Sequence, residues 1–289
     1  IAVGAAMAAA SVADDVGLTV SVIGTPAEEP GDSGGKILML ERGAFQTMHA
    51  AMMVHPAPFD VLTSGMIAAS MFEVRYTGKE AHASAFPERG INAADALTIA
   101  QTSIGLLRQH ILPTQRIHGI VTKGGDAPNI IPAHTSAKYT VRGQTLSELE
   151  ELRPRVHRCF EAGAWATGST MEIVGGTKPY AEMHHDLEMA DIYRRNSEAL
   201  GRTFPELGPT QQVAASTDMG NVSLALPSIH PMIGIDSLSA VNHQPEFTAQ
   251  CATPAADKAV IDGAIALAWT AIDLATEPGI RQRLLSGAG

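Results

Sequence analysis

The feature that most constrains the fold is a change in hydrophobic pattern along the chain. Three near-continuous apolar runs, which predict strands buried on both faces, lie at 18–26 (LTVSVIGTP), 48–56 (MHAAMMVHP) and 227–236. Helical patterns alternate with them, at 1–16, 36–43, 187–201 and 253–276, and a loop is predicted at 30–35. Alternating helices and buried strands predict an α/β fold with a central, mainly parallel sheet covered by helices on both faces.

The middle of the chain follows another pattern, in which apolar and polar residues alternate along the strands. Strands of this kind are predicted at 70–78, 115–125, 135–145 and 169–176, with helices at 91–110 and 146–168. Ser147 and Glu150 are spaced as a capping box for the second helix. The order β-α-β-β-α-β indicates a ferredoxin-like unit inserted at 68–177. We therefore predict a first domain of two parts, 1–67 and 178–289, around this insert.

Composition excludes several classes of protein. The chain has 289 residues, a formal net charge of -10 and 45% hydrophobic residues, which favours a globular protein and disfavours binding to nucleic acid or anionic membranes. Its two cysteines cannot form a disulfide framework, so we expect a reducing, cytoplasmic setting. No nucleophile elbow, phosphate loop or dinucleotide fingerprint is present.

Two adjacent carboxylates, Glu28 and Glu29, directly follow the first predicted strand. Sites in open α/β sheets gather at the carboxyl ends of strands. One carboxylate could bind a cation while the other acts as general base on metal-bound water. Taken alone, however, such a pair is more often a solvated acidic turn.

Histidines elsewhere could complete a metal site. His55 ends the next apolar strand, which could place it beside Glu29, and His243 follows a predicted strand and loop. With Glu29 they offer nitrogen and oxygen ligands from separate segments, which suits catalytic zinc or manganese. Each histidine alone could equally be an ordinary packed or loop residue.

Further polar residues have weaker claims on a site. His82 follows the first strand of the insert and could donate to a carbonyl oxygen that becomes negative, and Asn129 is either a turn residue or a substrate contact. His230 lies on an apolar strand and could face a pocket, while Asp218 lies in a polar loop that could approach the site. His184-His185-Asp186 precedes a helix, and helix entry is the favoured interpretation.

Together these motifs resemble the aminoacylase/carboxypeptidase-G family of dinuclear metallohydrolases, in particular its branch of aminobenzoyl-glutamate hydrolases and β-alanyl-lysine-type dipeptidases. The matching segments are GTPAEE (24–29), MVHP (53–56), VRYTGKEAHASAFPERGINAADA (74–96), PNIIP (128–132), STDMGNVS (216–223), PSIHP (227–231) and NHQPEF (242–247). The resemblance implies a zinc-peptidase-like α/β domain with a lid and dimerisation domain. It also implies hydrolysis of N-acyl amino acids or dipeptides, small-molecule substrates, by a homodimer that joins through the lid.

The resemblance also implies roles for the candidate residues. Glu28 corresponds to the general acid/base, and His82 to the lid histidine that stabilises the tetrahedral intermediate. Asn129 corresponds to a substrate contact. The metal ligands implied are Glu29, His55 and His243. Two divalent ions are implied, zinc being favoured over manganese.

One departure from the family concerns the start of the chain. A Cys-Gly-His-Asn or Cys-Gly-His-Asp segment would supply further ligands immediately before Ile1, which opens in the middle of an apolar helix pattern. We therefore expect residues before Ile1. Two alternatives stay open: a non-catalytic dimeric binding or scaffold protein, and a hydrolase whose inserted domain is a small-molecule sensor.

Overall fold

A computed structural model of the chain describes residues 1–29, 33–205 and 215–287. The strands are β1 (Ala51–Met52), β2 (His55–Ala57), β3 (Ala68–Thr77), β4 (Arg116–Lys123), β5 (His134–Gly143), β6 (Thr170–Gly175), β7 (Ser228–Ile229) and β8 (Met232–Gly234). The helices are α1 (Ala2–Ala10), α2 (Ala13–Val16), α3 (Gly35–Glu41), α4 (Ala93–Leu107), α5 (Leu146–Thr167), α6 (Leu187–Ala199), α7 (Met219–Ser223), α8 (Pro245–Gln250), α9 (Pro254–Thr276) and α10 (Pro278–Leu285). Part of the loop predicted at 30–35, residues 30–32, lies outside the described residues.

The middle of the chain forms an antiparallel sheet of four strands in the order β4-β5-β3-β6, with α4 and α5 packed against it. β3 and β5 pair in register from Ala68–Gly143 to Thr77–His134. Alternation along β3 and β5 turns side chains such as Val74 and Val141 into a core shared with both helices. We call β3 to β6 with α4 and α5 the four-stranded unit. Its β-α-β-β-α-β order agrees with the prediction, while the domain boundaries themselves stay a prediction.

The capping box predicted at Ser147 and Glu150 is wrong by two residues. Thr145 caps α5 by accepting from the Glu148 backbone N–H at 3.2 Å. The Glu148 carboxylate in return accepts from the backbone N–H of Gln144 at 2.9 Å. Ser147 lies inside the first turn of the helix. Two pairs, Thr145 with Glu148 and Ser147 with Glu150, have the three-residue spacing of a capping box. The observed first residue of α5 shows that the first pair forms the cap.

The rest of the described chain contains short parallel pairs, β1 with β7 and β2 with β8. The sequence predicts one continuous strand in each segment, and the structure divides each into two. Pro231 lies between β7 and β8 and has no N–H to donate to a ladder, although its carbonyl accepts from His55 at 3.1 Å. α1, α6, α9 and α10 pack around a separate core.

The strand predicted at 18–26 does not form. Leu18 and Val20 are partly buried against the core that includes α1 and α9, which explains the apolar pattern. No strand pairs with this segment among the residues that the structure describes. Glu28 and Glu29 therefore follow a segment without regular secondary structure and not a strand of a sheet.

α9 is long and apolar enough to cross a membrane by length and composition, and is the one such helix within the described ranges. Of its most apolar window, 56% is buried inside the structure. Its buried face packs against α1 and α6. The core of a globular protein accounts for this pattern equally well.

Candidate functional site

The chain bends at Glu28 and turns at Glu29, and the segment 26–29, which we call the turn, places the two carboxylates beside the start of α3. A Cβ on Gly35 would lie 1.8 Å from the Pro26 carbonyl oxygen, so only glycine allows this approach. Ala27 has a φ of 55°, in the left-handed region that non-glycine residues rarely adopt. The Tyr180 hydroxyl donates to the backbone carbonyl of Glu28 at 2.7 Å. The orientation of the pair therefore depends on contacts with distant parts of the chain.

The Glu28 carboxyl is half-buried and lies among other charged groups. Burial raises its pKa above the ordinary value, and the nearby carboxylates of Glu29 and Asp218 act in the same direction. A hydrogen bond from Thr217 and the charge of Lys36 act in the opposite direction. A carboxyl whose pKa is raised toward neutrality is suited to accept a proton and return it.

A buried ion pair lies next to Glu28. The Lys36 ammonium contacts the Asp218 carboxylate at 2.6 Å, and their side chains are 6% and 0% exposed. The Lys36 backbone N–H donates to the other carboxylate oxygen at 2.8 Å. Asp218 thus lies near Glu28, and its contacts with Lys36 join the start of α3 to the start of α7.

Glu29 and His243 face each other at the surface. The Glu29 carboxylate lies 3.9 Å from Nδ1 of His243, and the side chains are 66% and 79% exposed. His243 has a φ of 67°, a second left-handed residue in the site. The structure brings together these two predicted ligands.

His55 lies beside a second, buried histidine. Its ring centroid is 5.9 Å from that of His230, which is 2% exposed. Burial and the neighbouring His55, His185 and Lys36 lower the pKa of His230 well below its ordinary value. Within the described part of the chain, no hydrogen bond or ion pair joins His55 to Glu29.

The His184-His185-Asp186 segment enters α6, as the sequence predicts. Asp186 caps the helix by accepting from the Met189 backbone N–H at 3.0 Å. His185 contacts the Ser64 carbonyl at 3.2 Å, and burial lowers its pKa. His185 is therefore a buried neighbour of His230.

His82 and Asn129 form a separate group on the four-stranded unit. The backbone N–H of Ala83 donates to the Asn129 carbonyl at 3.0 Å, and His82 bridges to Ile130. Nδ1 of His82 accepts from the Ala85 backbone N–H at 3.2 Å. No hydrogen bond or ion pair joins either residue to Glu28 within the described residues.

Arg142, at the end of β5, is a site residue that the sequence reasoning missed. Its guanidinium donates to Ser216 Oγ at 2.7 Å, and Ser216 directly precedes Thr217. Burial lowers its pKa, and no carboxylate pairs with it among the residues described. A charged residue near the end of a strand, in TVRG, is the signal that could have identified it. Lys36 and Thr217 carried no comparable signal.

The side chains present fit a divalent cation. Glu29 and His243 offer carboxylate and imidazole donors at close range, and His55 offers a second imidazole. Both ring nitrogens of buried His230 beside it have no hydrogen-bond partner in the described ranges. Residues 1–29, 33–205 and 215–287 contain no ready-made group of three or more His, Cys, Asp or Glu for a metal ion. These donors fit part of a coordination shell.

Comparisons with known proteins agree with this architecture. Residues 68–164 match the peptidase dimerisation domain family. The chain is 37% identical to mouse Xaa-Arg dipeptidase over 96% of its own length, and 26% identical to one of the subunits of p-aminobenzoyl-glutamate hydrolase from Escherichia coli over 92%. It spans 64% of the first protein and 66% of the second.

Solved structures share the fold. An aminobenzoyl-glutamate utilization protein from Klebsiella pneumoniae superimposes with a TM-score of 0.66 at 18% identity, covering 94% of this chain and 66% of that one. The YXEP protein of Bacillus subtilis, described as a dinuclear metal binding peptidase from the M20 family, gives a TM-score of 0.61 at 17% identity, covering 94% and 71%. These matches confirm the α/β class with an inserted unit.

The fold and the dimerisation-domain match define an α/β protein that carries an inserted peptidase dimerisation domain. The chain is similar to Xaa-Arg dipeptidase and to a subunit of p-aminobenzoyl-glutamate hydrolase, and its residues 68–164 match the dimerisation domain of the M20 peptidases.

Proposed function

We propose that the protein is a metal-dependent amidohydrolase that cleaves the amide bond of N-acyl amino acids or dipeptides. The observation that carries the proposal is the half-buried Glu28 carboxyl, whose pKa burial raises, beside the open Glu29–His243 pair. Mouse Xaa-Arg dipeptidase, 37% identical, supports dipeptides as the substrate class. Alanyl-arginine is therefore our probe.

Glu28 takes a proton from the attacking water and returns it to the leaving nitrogen. Thr217 and Lys36 face its carboxylate, and the raised pKa makes it a better base than an exposed glutamate. Glu29, His55 and His243 would hold the metal. Two divalent ions, zinc in preference to manganese, would polarise the scissile carbonyl and lower the pKa of bound water.

The four-stranded unit supplies substrate contacts and the dimer interface in this proposal. His82 would stabilise the oxyanion, and Asn129 would contact the substrate, each reaching a site in the neighbouring subunit. β4 is an edge strand with Ile120 66% and Val121 45% exposed, which suits pairing with a second copy of the chain. We therefore propose a homodimer that joins through residues 68–177, the lid domain.

Arg142 would bind the carboxylate of the substrate. It is a partly buried cation without a carboxylate partner among the described residues, and its partner Ser216 adjoins Thr217, which contacts Glu28. A guanidinium fork matches a carboxylate, and the pairing would offset the desolvation of both groups. We also propose that the protein acts in the cytoplasm, where free thiols such as those of Cys159 and Cys251 stay reduced.

The decisive experiment replaces Glu28 by Gln in the full-length protein and measures metal content and alanyl-arginine hydrolysis together. We expect metal content to stay at the wild-type level and kcat to fall by about 10²- to 10⁴-fold, because only the proton acceptor is lost. Glu29→Gln is the matched control, in which metal content should fall as well.

Two results would contradict the proposal. Unimpaired turnover by Glu28→Gln with metal retained would exclude Glu28 as the base. A wild-type protein that binds neither metal nor substrate, yet dimerises, would favour the alternative of a non-catalytic scaffold.

A further inference from the structure

Tyr180 joins two parts of the molecule that are far apart in sequence. Its side chain is 1% exposed, and its hydroxyl donates to the Glu28 carbonyl at 2.7 Å across 152 residues. Its backbone exchanges two hydrogen bonds with Ala69 in β3, at 2.8 and 3.0 Å. The backbone of Glu28 is thereby joined, through Tyr180, to the start of β3 in the four-stranded unit.

The turn that receives this hydrogen bond has an unfavourable backbone. Ala27, one residue before Glu28, has a φ of 55°, and such residues persist only where the surrounding structure holds them. The Glu28 carbonyl follows directly, so the Tyr180 hydroxyl acts within one residue of the strained position. A small rotation there would swing the Glu28 carboxylate away from Thr217 and Lys36.

We infer that Tyr180 is a positioning residue for Glu28, which orients the carboxylate by holding its backbone carbonyl. This inference rests on the proposed function, since it assigns a role in the same reaction. The hydroxyl contacts the backbone of the base, and this hydrogen bond involves no predicted metal ligand or substrate contact. Its loss should therefore lower the rate of the chemical step and leave substrate affinity and metal binding intact.

Tyr76 provides a matched control within the same chain. It is also 1% exposed, and its hydroxyl also donates to a backbone carbonyl, that of Phe160, at 2.8 Å. This hydrogen bond lies in the core of the four-stranded unit, away from Glu28. Tyr→Phe at either position removes a hydroxyl group and its hydrogen bond to a backbone carbonyl, so the two variants should lose similar stability.

The experiment compares Tyr180→Phe with Tyr76→Phe in the full-length metal-loaded protein, using alanyl-arginine. We expect similar decreases in Tm, unchanged metal content in both, and a kcat about tenfold lower for Tyr180→Phe alone, with KM within about twofold of wild type. Tyr76→Phe should keep the wild-type kcat.

The outcomes separate the two hypotheses. An unchanged kcat in Tyr180→Phe, or an equal loss in both variants, overturns the positioning role while the proposed function stands. A rise in KM without a fall in kcat also overturns it, because it would indicate a substrate contact. A metal-loaded wild type that does not hydrolyse alanyl-arginine or other N-acyl amino acids overturns the proposed function and this inference together.

Discussion

The helix starts of the four-stranded unit and the turn that carries Glu28 are held by side-chain contacts of different range. In the four-stranded unit, side-chain caps act within three residues, as Asn92 does for Ala94 and Thr145 for Glu148. At and beside the turn, the Tyr180–Glu28 hydrogen bond joins residues 152 apart in sequence, and the Lys36–Asp218 pair joins residues 182 apart. Local contacts form early and at a low cost in conformational entropy, whereas the geometry of the turn exists only once the whole fold has closed.

The largest effect should follow from breaking the Lys36–Asp218 pair. Lys36→Met leaves the fully buried Asp218 carboxylate without its counter-charge, and we expect the free energy of unfolding to fall by about 3–5 kcal/mol. Chemical denaturation checks this. Arg75→Met, which breaks an exposed pair with Glu73 in the four-stranded unit, should leave the denaturation midpoint unchanged. Equal losses in both variants would remove the contrast between the two regions.

A smaller change in stability should follow Gly35→Ala, with a large change in activity. The new Cβ would have to displace the Pro26 carbonyl, at an expected cost of about 1–3 kcal/mol. Because Pro26 starts the turn, we expect kcat on alanyl-arginine to fall by about 10²-fold.

Gly105→Ala is the control for this prediction, because a Cβ at this exposed position in α4 meets no atom within 4 Å. It should raise stability by about 0.5–1 kcal/mol and leave kcat unchanged. If Gly35→Ala retains wild-type kcat, the close approach does not position the carboxylates.

The smallest effect concerns the helix cap of the four-stranded unit. Thr145→Ala should destabilise the protein by about 1 kcal/mol, because the Glu148 backbone N–H loses its acceptor. Ser147→Ala removes a hydroxyl with no capping role and should have almost no effect. Comparing the two denaturation midpoints tests the corrected capping box, and the reverse order would restore the assignment to Ser147. Neither variant should alter kcat, since both residues lie at the start of α5, where the cap is a local contact.

The site was predictable where a residue carries its own chemical signal. Glu29 and His243 were expected as co-ligands from their residue types and positions, and they lie 3.9 Å apart. Tyr180 and Lys36 carry no such signal, because buried tyrosines and helix lysines are common in every class of protein. Their importance follows from what they contact, which depends on how distant segments meet.

Sequence alone determined the order of elements in the four-stranded unit, because the periods of two and 3.6 residues are properties of neighbouring residues. The helix predicted at 91–110 is α4 (Ala93–Leu107) followed by a single turn (Arg108–His110). Only the tertiary structure decided whether residues 18–26 form a strand. Their apolar pattern predicts one, but no strand lies beside them among the described residues. A strand is defined by its hydrogen-bonded neighbour, and a positioned carboxylate by the distant groups that hold it.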